Sequence, residues 1–356
     1  MNIESLVQQQ LSSIRAPLLD QPLSELNLKP IINVQENSVE ISLVSPFPGT
    51  FLQALIPQLI EGLKAKLPHY EINITVDHFI KAHRTQLPGR GLRGVKNTIA
   101  IASGKGGVGK STVAVNLAVA LARAGARVGI LDADIYGPSV PLMLGDAKPV
   151  EVQGDHYLPV STHGVQAMSI GYLTEGEPAL IWRGPMLAKS LLQMIDITLW
   201  DELDYLFIDL PPGTGDIQLS LVQKIPLAGA VIVTTPQNVA TLDAEKALKM
   251  FAKTNIDVLG IVENMAVHVC RSCGHTEEIF GHDGVSKLCS NYSCKLLGKL
   301  PLHGQIRKEC DEGTPSAGKQ HDEISQLFMK TALNMAFELA KKPLNYADKF
   351  PPIVVE

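Results

Sequence analysis

The chain has 356 residues, 45% apolar and 19% charged, with 31 Lys and Arg against 36 Asp and Glu for a net charge of −5. That size and apolar content suit one large α/β domain plus a smaller one, and the mildly acidic balance gives no global basic field for nucleic acid. No apolar run is long enough to span a bilayer and the opening MNIESLVQQQ lacks a basic-then-apolar signal pattern, so a cytoplasmic protein with neither membrane nor nucleic-acid partners is expected.

Residues 1–80 read as a small α+β domain. Ile3, Leu6, Val7, Leu11 and Ile14 mark one helical face, Val39–Val44 and Tyr70–Val76 alternate as strands do, and Phe51–Leu67 has a helical pattern. Pro57 interrupts that second helix unless it lies in the first turn. Residues 81–96 (KAHRTQLPGRGLRGVK) are rich in Gly, Arg and Lys without apolar periodicity and read as a linker.

From Asn97 strand-like and helix-like runs alternate through residue 342, which predicts a mostly parallel sheet flanked by helices. The β-branched run Thr98–Ala102 and the helical pattern Thr112–Ala124 enclose Gly104-Lys105-Gly106-Gly107-Val108-Gly109-Lys110-Ser111-Thr112, a match to the G-x-x-x-x-G-K-[ST] phosphate loop. Its glycines let backbone N–H groups converge on phosphate oxygens at a helix N-terminus. Lys110 would reach the β- and γ-phosphates of ATP, and the Ser111 hydroxyl would ligate Mg²⁺.

Lys105, directly after the first glycine, gives a form that resembles the deviant phosphate loops of the dimeric MinD, ParA, nitrogenase iron protein and Mrp/ApbC ATPases. The resemblance implies that Lys105 reaches the partner subunit's nucleotide, as an arginine finger does.

Arg127–Leu131 is the next strand and delivers Asp132-Ala133-Asp134 at its end, where ligands of such sheets collect. By resemblance, Asp134 would position the attacking water and Asp132 would help hold Mg²⁺ indirectly. Tyr205–Leu210 is an apolar strand carrying Asp209, suited to reach Mg²⁺, and the following PPGTGD is a candidate second switch. Ala230–Thr235, the helix Thr241–Lys253 and the strand Val258–Val262 follow. In related ATPases the asparagine after the last of these hydrogen-bonds adenine, which makes Asn264 the candidate here and sets the Pro301-Leu302-His303 loop against the base. The amphipathic stretch Glu323–Lys341 is expected to pack on the sheet, and residues 343–356 form a tail.

Five cysteines in such a chain read as metal or redox ligands before disulfides. Cys270 and Cys273 stand at C-x-x-C spacing and supply two of the four ligands that a zinc ion or a cluster requires. The other two could be Cys289 and Cys294, fifteen residues further on at C-x4-C spacing, or the same pair from a second subunit across a two-fold axis. Cys310 reads as an incidental thiol, and His275 and His282 as loop histidines.

Residues 95 to about 303, with Gly94 just before them, carry GVKNTIAIASGKGGVGKST, LDADIYGPSVPLMLG, WRGPM, YLFIDLPPGTGD and ENMAVHVCRSCGHTEEIFG. In this order they resemble the Mrp/ApbC family of iron-sulfur cluster carrier ATPases, and the layout of residues 1–80 resembles the small iron-sulfur-assembly domain that often precedes it. The resemblance implies a homodimer that hydrolyses ATP slowly and holds a labile 4Fe-4S cluster on Cys270 and Cys273 of both chains. Recipients would be apo iron-sulfur proteins, and a scaffold or donor protein would load the carrier. A positioning ATPase acting on DNA or membrane, and an ATPase with a structural zinc on the four cysteines, remain alternatives at this point.

Overall fold

The computed structural model describes residues 3–146, 148–173, 184–270 and 272–345. Trp182 and Arg183 of the WRGPM motif and the tail residues Phe350–Val355 lie outside the described residues. Two compact units make up the chain, Met1–Lys81 and Ala82–Glu356.

The first unit has a three-stranded sheet of Lys29–Val34, Ser38–Ser45 and Glu71–His78, its first pair antiparallel and its second parallel. Alternation in the central strand turns Val39, Ile41 and Leu43 inward, where they form a core with Leu6, Val7 and Leu11 of helix Ile3–Ser13 and Leu59 and Leu63 of helix Ile56–Lys64. Pro57 lies in the first turn of that helix, where its missing N–H costs no hydrogen bond, and the six residues before it form a 3₁₀ turn. Lys29–Val34 has no counterpart in the sequence reading. It is an exposed edge strand containing Pro30, so neither alternation nor burial marks it.

The second unit is an eight-stranded sheet with helices packed against it. In chain order its strands are β1 (Val95–Ala102), β2 (Val128–Asp132), β3 (Val160–Thr162), β4 (Val165–Ser169), β5 (Leu203–Asp209), β6 (Gly229–Thr234), β7 (Val258–Glu263) and β8 (Leu296–Lys299), laid side by side as 3-4-2-5-1-6-7-8. All neighbours are parallel except β3 and β4. The near-continuous apolar runs of β1, β5 and β6 follow from burial on both faces.

The helices are α1 (Lys110–Arg123), α2 (Val140–Leu144), α3 (Gly184–Ile197), α4 (Asp216–Lys224), α5 (Asn238–Lys253), α6 (Gly284–Tyr292), α7 (Gly304–Asp311) and α8 (Glu323–Ala340). Helix α8 buries Ile324, Phe328, Met335 and Leu339 against the sheet and α1. Residues 82–96, read as a linker, belong to this unit. Ala82–Arg84 pair with Pro343–Asn345, and the Gln86 side chain donates to the carbonyls of Val222 and Ile225 and accepts from the Leu227 N–H. Side-chain to backbone hydrogen bonds hold this strap, and hydrophobic periodicity is blind to them.

Candidate nucleotide and thiolate sites

Strand β1 ends in the middle of the sheet, and the phosphate loop leaves its carboxyl end to enter α1. Two glycines are required by their surroundings. A Cβ on Gly104 would stand 2.2 Å from the Asp243 carbonyl of α5, so only glycine lets the loop lie on that helix. Gly109 has φ +82°, and a Cβ there would meet the Asn264 amide nitrogen at 2.3 Å. The Ser103 hydroxyl donates to the Lys105 carbonyl, and the Gly213 N–H of the PPGTGD segment donates to the Ser103 carbonyl at 3.0 Å.

Register brings the acids together. Asp209 of β5 pairs with Asp132 of β2 on one side and Ile101 of β1 on the other, which sets both carboxylates at the sheet's carboxyl edge. Lys110 Nζ lies 2.7 Å from Asp209 Oδ1 and 3.2 Å from Ser111 Oγ, with Lys110 6% and Asp209 0% exposed. Asp209 Oδ2 is buried and has no hydrogen-bond partner among the described residues. The orphaned Asp209 oxygen and the Ser111 hydroxyl, both on residues that Lys110 contacts, are hard oxygen donors of the kind that Mg²⁺ takes, so these residues fit the ion.

Asp132, expected to help hold Mg²⁺ indirectly, has its oxygens engaged by its own chain. Oδ1 accepts the Asp134 N–H, and Oδ2 accepts the N–H groups of Ser139 and Val140 and the Ser169 hydroxyl, at 3.0 to 3.3 Å. It braces the loop from β2 into α2. Burial, with the charge of Asp209, pushes its carboxyl up to about 7 against the pull of these donors and of Lys110. Asp134 is half-buried at the loop's start, and burial raises its carboxyl as well. Ser139 and Ser169 are hydrogen-bond partners of Asp132 that the sequence did not reveal, because one lies seven residues from Asp132 and the other on a different strand.

Asn264, assigned to the adenine, lies at the end of β7 with its amide turned onto the phosphate loop. Its Nδ2 donates to the Val108 carbonyl at 2.9 Å, and its own N–H donates to Thr234. A buried loop carbonyl needed a donor, and this amide is the one within reach. His303 caps α7 through Nδ1, which accepts the Gln305 N–H, and also lines a groove of about 740 Å³ with His268, Arg307, Lys308 and Lys319. Lys105 is half-exposed, and its ammonium has no ion-pair partner among the described residues.

Beyond Asn264 the chain continues the sheet's pairing. Leu300 donates to Glu263, Ala266 to Leu300 and Leu302 to Val267. It then rises into a hairpin in which His268–Val269 pairs with Thr276–Glu277. Cys270 and Cys273 occupy its tip, with Cys270 N–H on the His275 carbonyl and Gly274 N–H on the Cys270 carbonyl. Backbone N–H groups of Cys273 and Ser272, with the Cys273 side chain, hydrogen-bond the Cys270 sulfur and lower its pKa. Cys273 is exposed and Cys270 half-exposed. Such a turn offers thiolate ligands outward.

Cys289 and Cys294 do not join this pair. They lie at the end of α6, where Cys289 belongs to the hydrophobic core, and among the described residues no three His, Cys, Asp or Glu side chains converge on a metal position. Among the described residues the four cysteines therefore do not gather at one place. Cys310 is buried in α7 near Asn116, and His275 and His282 are loop residues.

The ParA family profile, described as NUBPL iron-transfer P-loop NTPase, matches residues 94–336. A protein of Escherichia coli strain K12 named iron-sulfur cluster carrier protein is 44% identical over 344 residues, covering 95% of this chain and 92% of its own. The protein of the same name from Haemophilus influenzae is 46% identical over 341 residues, covering 94% and 91%. Among solved structures, the nucleotide-binding protein of Archaeoglobus fulgidus in complex with ADP superposes with a TM-score of 0.58 at 39% identity, covering 66% of this chain and 93% of that one.

Proposed function

This chain belongs to the NUBPL iron-transfer P-loop NTPases of the ParA family, and from that premise we propose that it is an ATPase that carries a labile 4Fe-4S cluster between two copies of itself. The carrying observation is a pair of outward-facing thiols on a hairpin that prolongs the strand touching the phosphate loop. One chain offers two thiolates to a cargo that takes four, so the second pair comes from a second copy.

In the nucleotide site the loop's N–H groups and the start of α1 receive the phosphates. Lys110 and Ser111 stand at the same corner. Lys110 transfers part of its hydrogen bonding from Asp209 to the β- and γ-phosphates, which releases Asp209 toward the ion's side. Ser111 and Asp209 would hold Mg²⁺, which when bound offsets phosphate charge. Asp134, at the mouth of this site, orients the water that attacks the γ-phosphate. Lys105 of one protomer extends toward its partner's nucleotide and ties hydrolysis to assembly. The PPGTGD segment, anchored on Ser103 by Gly213, is placed to respond to the γ-phosphate and to bias the interface that holds the cluster. A recipient apo-protein collects the cluster when that interface loosens, and a scaffold protein supplies it.

A positioning ATPase would leave both thiols unused, and α8, the amphipathic helix it would need at a membrane, is buried on the sheet. The described residues contain no helix long and apolar enough to cross a membrane.

Anaerobic reconstitution with iron and sulfide tests the proposal. The expected result is about four irons per two chains, lost in Cys270→Ala/Cys273→Ala with ATP binding retained, and unchanged in Cys289→Ala/Cys294→Ala. Zinc at one per chain, dependent on all four cysteines, would overturn it.

A further inference from the structure

The carrier reading uses two of the five cysteines, and two of the others meet at a defined turn. Helix α6 stops at Ser293, which adopts the left-handed conformation with φ +50° and donates its N–H to the carbonyls of Cys289 and Ser290. The next residue, Cys294, donates its N–H back to the Cys289 carbonyl at 3.0 Å. A helix stop of this kind bonds its sixth residue to its first and brings their two side chains together, usually as an apolar pair. Here the pair is two thiols, hydrogen-bonded to each other. Two cysteines whose backbones are joined in this way have neighbouring side chains, the arrangement that a disulfide requires.

Their surroundings divide the labour. Cys289 is 8% exposed and packs in the core, whereas Cys294 is half-buried and opens to solvent. The hydrogen bond from Cys289 favours the thiolate of Cys294 and lowers its pKa. The same bond, then burial and the charges of Cys294 and Glu263, raise that of Cys289. A thiol that ionises easily and is accessible is an attacking group, and a protonated one behind it is a resolving group.

We propose that Cys289 and Cys294 are a reversible thiol–disulfide pair that a low-molecular-weight disulfide oxidises, closing the last turn of α6 with a covalent bond. The Cys294 thiolate attacks one sulfur of the small disulfide and expels its other half as a thiolate. Cys289 then attacks the Cys294 sulfur of the mixed disulfide and expels the second half. The protons of the two cysteines end on the two small thiols released, so one disulfide is consumed and one is made. The pair works whether or not Cys270 and Cys273 hold a cluster.

The test uses the full-length Cys270→Ala/Cys273→Ala protein, which keeps three of its five cysteines. It is equilibrated anaerobically across a range of reduced to oxidised glutathione ratios, quenched in acid and digested with trypsin. Cleavage after Lys287 and Lys295 releases Leu288–Lys295, which holds both thiols. This peptide is expected to lose two hydrogens while free thiols fall from three to one per chain, and dithiothreitol should reverse both changes. A peptide carrying glutathione on Cys294 with Cys289 still reduced, or one that stays reduced at the most oxidising ratio, would overturn the proposal. Single variants test the order of attack. Cys289→Ser should trap glutathione on Cys294, and Cys294→Ser should leave Cys289 unmodified. The opposite pattern would also overturn it.

Discussion

Asn264, which touches the phosphate loop, stands six positions before Cys270 of the cysteine hairpin, yet loop and hairpin are built in opposite ways. The loop is pinned from every side, by the Asp243 backbone against Gly104, by the Asn264 amide on the Val108 carbonyl, by Gly213 on Ser103, and by a Lys110–Asp209 pair closed off from water. The hairpin has two residue pairs and an exposed tip. A site that must stabilise charge developing on a phosphate has to be rigid before the ligand arrives, since reorganisation would consume the gain. On the carrier role proposed for the hairpin its cargo must leave, and shallow, outward ligands serve that.

The contrast should appear as a graded response to mutation. Lys110→Ala leaves the Asp209 carboxylate buried and unpaired, and is expected to cost about 3–5 kcal/mol of stability and at least about a hundredfold in hydrolysis rate. Urea unfolding and a phosphate-release assay measure the two. Retention of full stability would mean that the pair is not closed off as described. Next in size, Gly104→Ala must push the loop off α5 and should lose about 1–3 kcal/mol together with nucleotide affinity, read by unfolding and by fluorescent-nucleotide titration.

A smaller, pH-dependent effect belongs to Asp132. Its folded carboxyl holds a proton up to about 7, against an ordinary value of 3.8. Between those values the unfolded chain has released the proton and the folded chain has kept it, so stability falls as pH rises through this window and levels above it. Asp132→Asn should flatten the slope in unfolding curves taken from about pH 4 to about pH 8. At the hairpin, Cys270→Ala/Cys273→Ala should change stability by less than about 0.5 kcal/mol while removing all reconstituted iron. A large loss of stability there would show that the hairpin is structural and would erase the contrast.

How legible these two regions were follows from the same difference. The loop is written in consecutive residues, because a phosphate cradle needs glycine and lysine at fixed spacing, and Gly104 to Thr112 announce it. The apolar strands ending in Asp132 and Asp209 were readable for the same reason, since burial on both faces leaves little choice of residue. What escaped is what depends on contacts between distant segments: Asp132 turning its oxygens to Ser139 and Ser169, Asn264 turning to Val108, and the Gln86 strap on α4. The segment of β3 and β4 also escaped, because Val160–Thr162 is a short, half-exposed edge strand with no marked alternation. The cysteines were visible as a count and a spacing. Which of them share a turn was settled only by the left-handed Ser293 and by the hairpin's pairing.

The short bridge between Ala82–Arg84 and Pro343–Asn345 bears on how this ATPase unit can be rearranged. Its first and last described segments leave side by side, as two cords from one socket. Joining them with a few flexible residues and opening the chain at an exposed turn elsewhere would disturb little of the interior. The same closeness suits the unit for insertion into a surface loop of a host protein, where its two junctions would span little more than a hairpin. Evolution by fusion meets the same convenience, because a module joined at Ala82 or at Asn345 would attach at nearly the same place and leave the sheet between them untouched.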